Sequence, residues 1–233
     1  MNARTTACLF AVLLAVVGCD AVPPDATIRI KGYDYFVFLP RQYESRDAWP
    51  LILFLHGAGQ HVETQEETTL YTAVPKYAVE HDDFPFIVIA PQSPPPDTWI
   101  NERLADLLDE VEATLRVDED RIYVTGLSMG GFGTFLVTTA YPDRFAAVVP
   151  IAGGGRPEEA CRMKDVPTWV FHNAGDRIVP VSQSQAMVDA LQACNGDVRF
   201  TLYDRSGHDA WSRTYSTPEL YDWFLSHRLS DRP

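Results

Sequence analysis

The sequence predicts one α/β domain built on a mostly parallel, twisted sheet of about eight strands, with helices on both faces. Two observations predict this fold class. Short apolar runs recur along residues 28–229, and segments with helical spacing of apolar residues separate them. The chain has 233 residues, enough for one substantial core, and no linker or repeat interrupts 28–229. Alternating strands and helices imply right-handed crossovers and a parallel sheet.

The strand predictions begin with a hairpin. Runs at 28–30 and 35–39 are typical of two strands joined through a turn at 32–34. The run at 51–55 is apolar throughout, which suits a strand covered on both faces. Similar runs predict strands at 86–90, 122–125, 147–151 and 169–171, and the alternating run 199–203 predicts a last strand at the edge.

The clearest helix prediction starts near Asn101, which is expected to be its N-cap. Leucines and valines at 104, 107, 108, 111 and 115 form one apolar face. Further helices are predicted near 69–81, 129–141, 182–194 and 217–228. Three consecutive prolines at 94–96 predict a loop over 91–100. The connections are short, so no large lid is expected.

The chain is acidic, with a formal net charge of −13 and a pI of about 4.8. No basic face is available to replace the counterions of phosphates, so a nucleic-acid partner is not expected. Neutral substrates would be tolerated better than polyanions. Solubility is the more general explanation of the charge.

The first residues indicate export. Residues 1–18 contain a basic start and a short apolar stretch, the pattern of a signal peptide. The stretch ends at Cys19, in a context that resembles the bacterial lipobox. We therefore expect Cys19 to carry lipid, residues 19–27 to be a linker, and the protein to be attached to a membrane of the cell envelope without spanning it. The alternative is an ordinary secretory signal cut near Ala21.

Two cysteines remain outside the leader and the lipidation site. Cys161 and Cys194 are an even pair in a domain expected to be exported, so a disulfide is plausible. The alternative is two separate buried thiols.

The most informative motif is Gly126-x-Ser128-x-Gly130. It lies between the apolar run 122–124 and the predicted helix 129–141. This is the nucleophile elbow, in which a strained turn exposes a serine hydroxyl at the carboxyl edge of a sheet. Glycines at the two flanking positions remove the clash that the tight turn would cause. Ser128 is therefore the predicted nucleophile.

A serine hydroxyl needs a base, and the elbow predicts a histidine downstream. His208 directly follows the last predicted strand, where this fold presents its base. His227 lies in the terminal predicted helix and is expected to face solvent. His172 ends a strand, and we expect it to order that strand end through hydrogen bonds. His208 is the predicted base.

The acid that orients the histidine should lie between the serine and the histidine in the chain. Asp176, in the loop after the strand 169–171, is the leading candidate. Its role would be to fix the tautomer of His208. Asp204 and Asp209 are closer to His208 in sequence, but we interpret them as solvated loop carboxylates.

The developing oxyanion requires two backbone N–H donors. One is predicted at Met129, the residue after the nucleophile, and the other in the loop after strand 51–55. We assign the second donor to Ala58, with Gly57 as the alternative. His56 is expected to support this loop.

Two tryptophans are candidates for contact with substrate. Trp99 and Trp211 lie in loops expected at the catalytic edge, where their rings could stack on an acyl chain, a phenolic ring or a sugar. Packing that holds the loops is the alternative, and it is favoured for Trp211. The histidines lack the spacing of a zinc protease, and no metal site is predicted.

Together these motifs resemble a known group. Five motifs appear in the order typical of small bacterial carboxylesterases of the α/β-hydrolase superfamily. They lie at 53–59, 90–92 with 98–99, 126–131, 172–180 and 207–211. Prolyl-oligopeptidase-type domains, dienelactone hydrolases and feruloyl or polyhydroxybutyrate depolymerase-type esterases are similar. The resemblance covers 28–229 and departs at Asn173, where such proteins usually have glycine.

This resemblance implies an α/β-hydrolase fold and ester hydrolysis through an acyl-enzyme, with Ser128, Asp176 and His208 as the triad and with no metal or organic cofactor. The expected partner is a small-molecule ester, and the membrane is contacted through the lipid alone. A peptidase with the same triad and a catalytically silent binding protein on this scaffold are the alternatives. The sequence does not predict an oligomeric state.

Overall fold

The computed structural model describes residues 27–28, 33–58, 73–93 and 98–233. The predicted signal peptide, Cys19 and most of the linker lie outside the described residues. Within the described part of the chain, no helix combines the length and apolar character needed to cross a membrane.

The described residues form an eight-stranded sheet, which confirms the predicted fold class. The strands are β1 Thr27–Ile28, β2 Asp34–Phe38, β3 Trp49–Leu55, β4 Ile87–Gln92, β5 Val117–Leu127, β6 Ala147–Ile151, β7 Thr168–Gly175 and β8 Val198–Ser206. Their order in the sheet is β1-β2-β4-β3-β5-β6-β7-β8. β2 is antiparallel to β1 and β4, and the neighbouring pairs from β4 to β8 are parallel.

Helices pack on both faces of this sheet. They are α1 Ala73–Glu80, α2 Asn101–Thr114, α3 Met129–Ala140, α4 Ser182–Ala193, α5 Trp211–Tyr215 and α6 Pro218–Leu225. Short 3-10 helices lie at Tyr43–Ser45, Pro142–Arg144, Pro157–Met163 and Leu229–Asp231.

The predicted cap of α2 is wrong by one residue. Asn101 is the first helical residue, and the extended Ile100 occupies the N-cap position. The carbonyl of Ile100 accepts the Leu104 N–H at 3.1 Å, so the helix starts without a side-chain cap. The side-chain oxygen of Asn101 is buried and has no hydrogen-bond partner among the described residues.

Strand β3 shows why the sheet has two cores. Leu51, Leu53 and Leu55 contact a cluster that includes residues of α2, α3 and α4. Ile52 and Phe54 point the other way, into a cluster with residues of α1, α5 and α6. Because successive side chains of a strand face opposite sides, an unbroken apolar run can bury both faces at once.

The structure joins Cys161 and Cys194 in a disulfide, with their Cα atoms 5.8 Å apart. Cys161 lies in the 3-10 helix Pro157–Met163, and Cys194 directly follows α4. The bond therefore ties the C-terminal end of α4 to the segment that follows β6.

Candidate active site

Ser128 occupies a strained turn between β5 and α3. Its φ is 54° and its ψ is −118°, a backbone conformation that costs energy for any residue with a side chain. A Cβ atom on Gly130 would collide with the carbonyl of Leu55, and one on Gly126 would collide with the backbone of Gly130. Both flanking positions therefore require glycine, as the sequence motif predicts.

The structure brings together the three side chains that the sequence singles out. Ser128 Oγ lies 2.8 Å from His208 Nε2, and His208 Nδ1 lies 2.6 Å from Asp176 Oδ2. A carboxylate oxygen can only accept, so Nδ1 carries the hydrogen and Nε2 is free to accept the serine proton. The three residues follow or end β5, β7 and β8, so they meet at the carboxyl edge of the parallel strands.

Asp176 is buried, and both of its carboxylate oxygens accept hydrogen bonds. Its side chain is 0% exposed, and Oδ1 accepts the backbone N–H groups of Ile178 at 2.8 Å and Val179 at 3.0 Å. Burial raises the pKa of Asp176, but hydrogen bonds from His208 and these two amides outweigh it, so the pKa lies below its usual value. The carboxylate is therefore ionised and able to orient His208. Ile178 as a whole residue is 73% exposed.

Two contacts fix the loop that carries His208. Gly207 N–H donates to the carbonyl of Gly175 at 3.3 Å, continuing the pairing of β7 with β8. The side-chain amide of Asn173 donates to the carbonyl of Gly207 at 3.0 Å. Asn173, the position where the sequence departs from the pattern it resembles, thus anchors the residue before His208.

The competing carboxylates have other roles. Asp209 accepts the N–H of Ser212 at 2.8 Å and its hydroxyl at 2.7 Å, so it stabilises the first turn of α5. Asp204 is exposed on β8. Neither contacts His208 through a hydrogen bond in the described residues.

The other histidines are placed differently. His227 follows α6, and its Nδ1 donates to the carbonyl of Trp223 at 2.7 Å, away from Ser128. His172 is buried behind Asp176 and has hydrogen-bond partners on both ring nitrogens. It orders the end of β7, but it also lies 3.3 Å from Asp176, which sequence reasoning did not foresee.

The loop after β3 lies directly beside the elbow. A Cβ on Gly57 would lie 3.3 Å from the Leu127 carbonyl oxygen and 3.4 Å from Ser128 Cβ, so this backbone runs directly against the elbow. His56 accepts the Ser93 N–H at Nε2 (3.0 Å) and therefore donates from Nδ1 to the Gly57 carbonyl at 2.9 Å. These bonds brace the loop.

The two predicted donors belong to segments next to Ser128. Met129 is the first residue of α3, where a helix has backbone N–H groups without an intrahelical acceptor. Ala58 is exposed in a 3-10 turn after Gly57. The chain between Ala58 and α1 lies outside the described residues.

The tryptophans differ in their placement. Trp99 is 3% exposed, and its indole N–H donates to the His56 carbonyl at 3.3 Å while its ring packs edge-on against the His56 ring. This favours the packing alternative over stacking on a ligand. Trp211 is half-buried, with its ring centre 5.0 Å from that of His208. It forms part of the wall beside the base.

The described residues contain no cluster of three or more His, Cys, Asp or Glu side chains that could hold a metal ion.

A mostly parallel sheet that presents a serine on a strand–helix turn, followed in the chain by an acid and a histidine, is the architecture of the α/β-hydrolases. The chain belongs to the Esterase family, which matches residues 31–192. The matched segment includes Ser128 and Asp176 and ends before His208.

Three similar proteins illustrate the family's range. The solved structure of a thermostable esterase has a TM-score of 0.72 and 31% identity, covering 84% of this chain and 59% of that one. A bifunctional acetylxylan esterase/xylanase of Neocallimastix patriciarum is 24% identical over 67% of this chain and 23% of its own length. The "Probable feruloyl esterase C" of Aspergillus clavatus is 28% identical over 59% of this chain and 53% of its own. The chain thus spans only part of each of these relatives.

Proposed function

We propose that the protein is a serine carboxylesterase that cleaves esters through an acyl-enzyme at Ser128. The observation that carries this proposal is the continuous hydrogen-bonded chain from Ser128 Oγ through His208 to the buried carboxylate of Asp176. Such a chain activates a hydroxyl that is otherwise a weak nucleophile at neutral pH.

The geometry supports a two-stage reaction. Ser128 Oγ attacks the ester carbonyl carbon while His208 Nε2 takes the hydroxyl proton. Asp176 keeps the imidazole in the required tautomer and stabilises the imidazolium that forms. His208 then protonates the leaving alcohol, and the same histidine activates the water that releases the acyl group from Ser128.

The oxyanion of each tetrahedral intermediate is stabilised by the N–H groups of Met129 and Ala58. Ala58→Pro removes one of these donors, and a 3-10 turn has the φ that proline requires. We expect kcat to fall roughly 100-fold with little change in KM. Ala58→Ser keeps the N–H and serves as the control. Full activity of the Pro variant would assign the second donor to Gly57.

Substrate class is best tested with carbohydrate-linked esters. The names of the relatives support acetylated xylan and feruloyl esters as first candidates, and the acidic chain suits neutral esters. Purified protein should cleave p-nitrophenyl acetate and at least one acetylated or feruloylated saccharide, but no peptide p-nitroanilide. Faster cleavage of the anilides would favour the peptidase, and no cleavage of either by folded protein would favour the silent scaffold.

Export and lipid attachment at Cys19 complete the proposal. The apolar stretch that stops at Cys19 supports it. Intact mass spectrometry of the mature protein from membranes should show residues 1–18 removed and a diacylglycerol-type mass on Cys19. An unmodified terminus elsewhere would contradict this part of the proposal and leave the esterase assignment unaffected.

A further inference from the structure

A second histidine contacts the proposed catalytic acid from behind. His172 is 0% exposed, and its Nε2 lies 3.3 Å from Asp176 Oδ2, the same oxygen that accepts from His208 Nδ1. Nε2 also lies 3.0 Å from the carbonyl oxygen of Val179. One carboxylate oxygen therefore lies between two imidazole rings.

The rest of the His172 ring is held by buried neighbours. Its Nδ1 lies 2.7 Å from Ser184 Oγ on α4, and Ser184 Oγ lies 2.7 Å from the Gly153 carbonyl after β6. His172 and Ser184 are both fully buried. The ring is thus fixed by α4 and by the β6 segment, and it cannot turn away from Asp176 without breaking these contacts.

The surroundings decide which ring nitrogen carries a hydrogen. A His172 without hydrogen on Nε2 would aim a lone pair at two acceptors, the Val179 carbonyl and the ionised Asp176, in a buried site where nothing offsets the repulsion. In both remaining forms, the neutral Nε2–H tautomer and the imidazolium, Nε2 donates. Burial lowers the pKa of His172 against the opposing effects of Val179 and Asp176. In the neutral tautomer the single hydroxyl hydrogen of Ser184 is donated to Nδ1, whereas in the imidazolium Nδ1 donates to Ser184 Oγ and the hydroxyl donates to the Gly153 carbonyl. Asp176 and His208 are the charged or titratable groups acting on the ring in the described part of the chain.

We propose that His172 is a positioning residue for the acid: its Nε2–H holds the Asp176 carboxylate in line with His208. This inference rests on the proposed function. The amides of Ile178 and Val179 hold Oδ1, while His172 Nε2–H is shared between the Val179 carbonyl at 3.0 Å and Asp176 Oδ2 at 3.3 Å. The short bond of Oδ2 is directed at His208 Nδ1. His172 does not touch substrate, and it acts only through Asp176.

The test compares two variants in which an amide side chain replaces the imidazole of His172. His172→Gln carries an N–H donor about as far from the backbone as Nε2, whereas His172→Asn is too short to reach Asp176 but keeps a polar group near Ser184. We expect His172→Asn to lower kcat for p-nitrophenyl acetate about 10-fold, with KM changed less than about 2-fold, because a hydrogen bond to a charged group is lost. His172→Gln should recover most of the activity. Thr168→Val, a buried polar position at the far end of β7, controls for general damage to the strand.

The pH profile of kcat/KM separates positioning from a merely structural role. A carboxylate that loses one donor attracts a positively charged His208 more strongly. The acidic limb of the kcat/KM profile should therefore move to higher pH by about half a pH unit in His172→Asn. The proposal would be overturned if the Asn and Gln variants had equal activities and the acidic limb of the kcat/KM profile stayed at the wild-type pH. If His172→Asn does not fold, Ser184→Ala releases the ring instead, and it should shift the limb in the same direction.

Ser128→Ala in the same assay distinguishes the two possible failures. An active Ser128→Ala protein would overturn both the proposed function and this inference. The other failure would overturn the inference alone. In that case Ser128→Ala is inactive, but His172→Asn has the kcat and the acidic limb of the pH profile of the wild type.

Discussion

Replacing Ser128 with alanine is expected to lower kcat for ester hydrolysis by roughly five orders of magnitude. In the proposed reaction this hydroxyl bonds to the acyl carbon, and it is the group that lies 2.8 Å from His208 Nε2. KM should change little because the substitution removes a single oxygen atom and leaves the neighbouring side chains in place. Steady-state kinetics with p-nitrophenyl acetate, on a variant shown to be folded by circular dichroism, measures the effect.

Ser206→Ala is the matched control for this variant. Ser206 ends β8, close to His208 in the chain, but it is exposed and forms no hydrogen bond with His208. Its loss should leave kcat within about 2-fold of the wild type, as is usual for exposed sites. A fluorophosphonate probe should label wild-type protein on Ser128 alone. Labelling of the Ser128→Ala variant to the same extent would contradict the assignment.

Asp176→Asn is expected to lower kcat about 10,000-fold near neutral pH. The amide offers its NH₂ to His208 Nδ1 and so favours the tautomer with hydrogen on Nε2, which cannot accept the proton of Ser128. The folded structure should persist, since the amide has the size of the carboxylate. Because the pKa of Asp176 lies below its usual value, wild-type activity should not depend on this carboxyl at pH 5 or above.

Asp209→Asn tests whether position in the fold, and not proximity in sequence, decides the role of the acid. Asp209 is adjacent to His208, yet it accepts bonds from Ser212 at the start of α5. The kcat of the Asp209→Asn variant should stay within a few-fold of the wild type. An Asp209→Asn enzyme as impaired as Asp176→Asn would show that the carboxylates have been assigned in the wrong order.

The positions of the three site residues could be predicted because each follows a recognisable element. A glycine-flanked serine after an apolar run has few structural solutions, since Gly126 and Gly130 must both lack a side chain for the turn to fit. Strand ends in a parallel sheet meet at one edge, so residues that follow β7 and β8 come near Ser128 whatever the intervening helices contain. Chain order and topology therefore predict the cluster without any knowledge of packing.

Contacts that depend on side-chain direction could not be predicted in the same way. Trp99 lies in a loop expected at the catalytic edge, yet its indole packs under the His56 loop. The contact of Asn173 with Gly207 spans 34 residues, and that of His172 with Ser184 links a strand to a helix. Such bonds depend on the rotamer and on the partner's position in space, and neither leaves a periodic pattern in the sequence.

In the loop after Asp176, the backbone and the side chain of one residue face different surroundings. At Ile178 the backbone N–H serves the acid, while the side chain is mostly in solvent at the same edge as Ser128. Every residue except proline supplies that N–H. The side chain at this position can therefore be exchanged while the hydrogen bond to Asp176 is kept. Sequence variation at Ile178 is therefore expected to leave the hydrogen bonds of Asp176 unchanged.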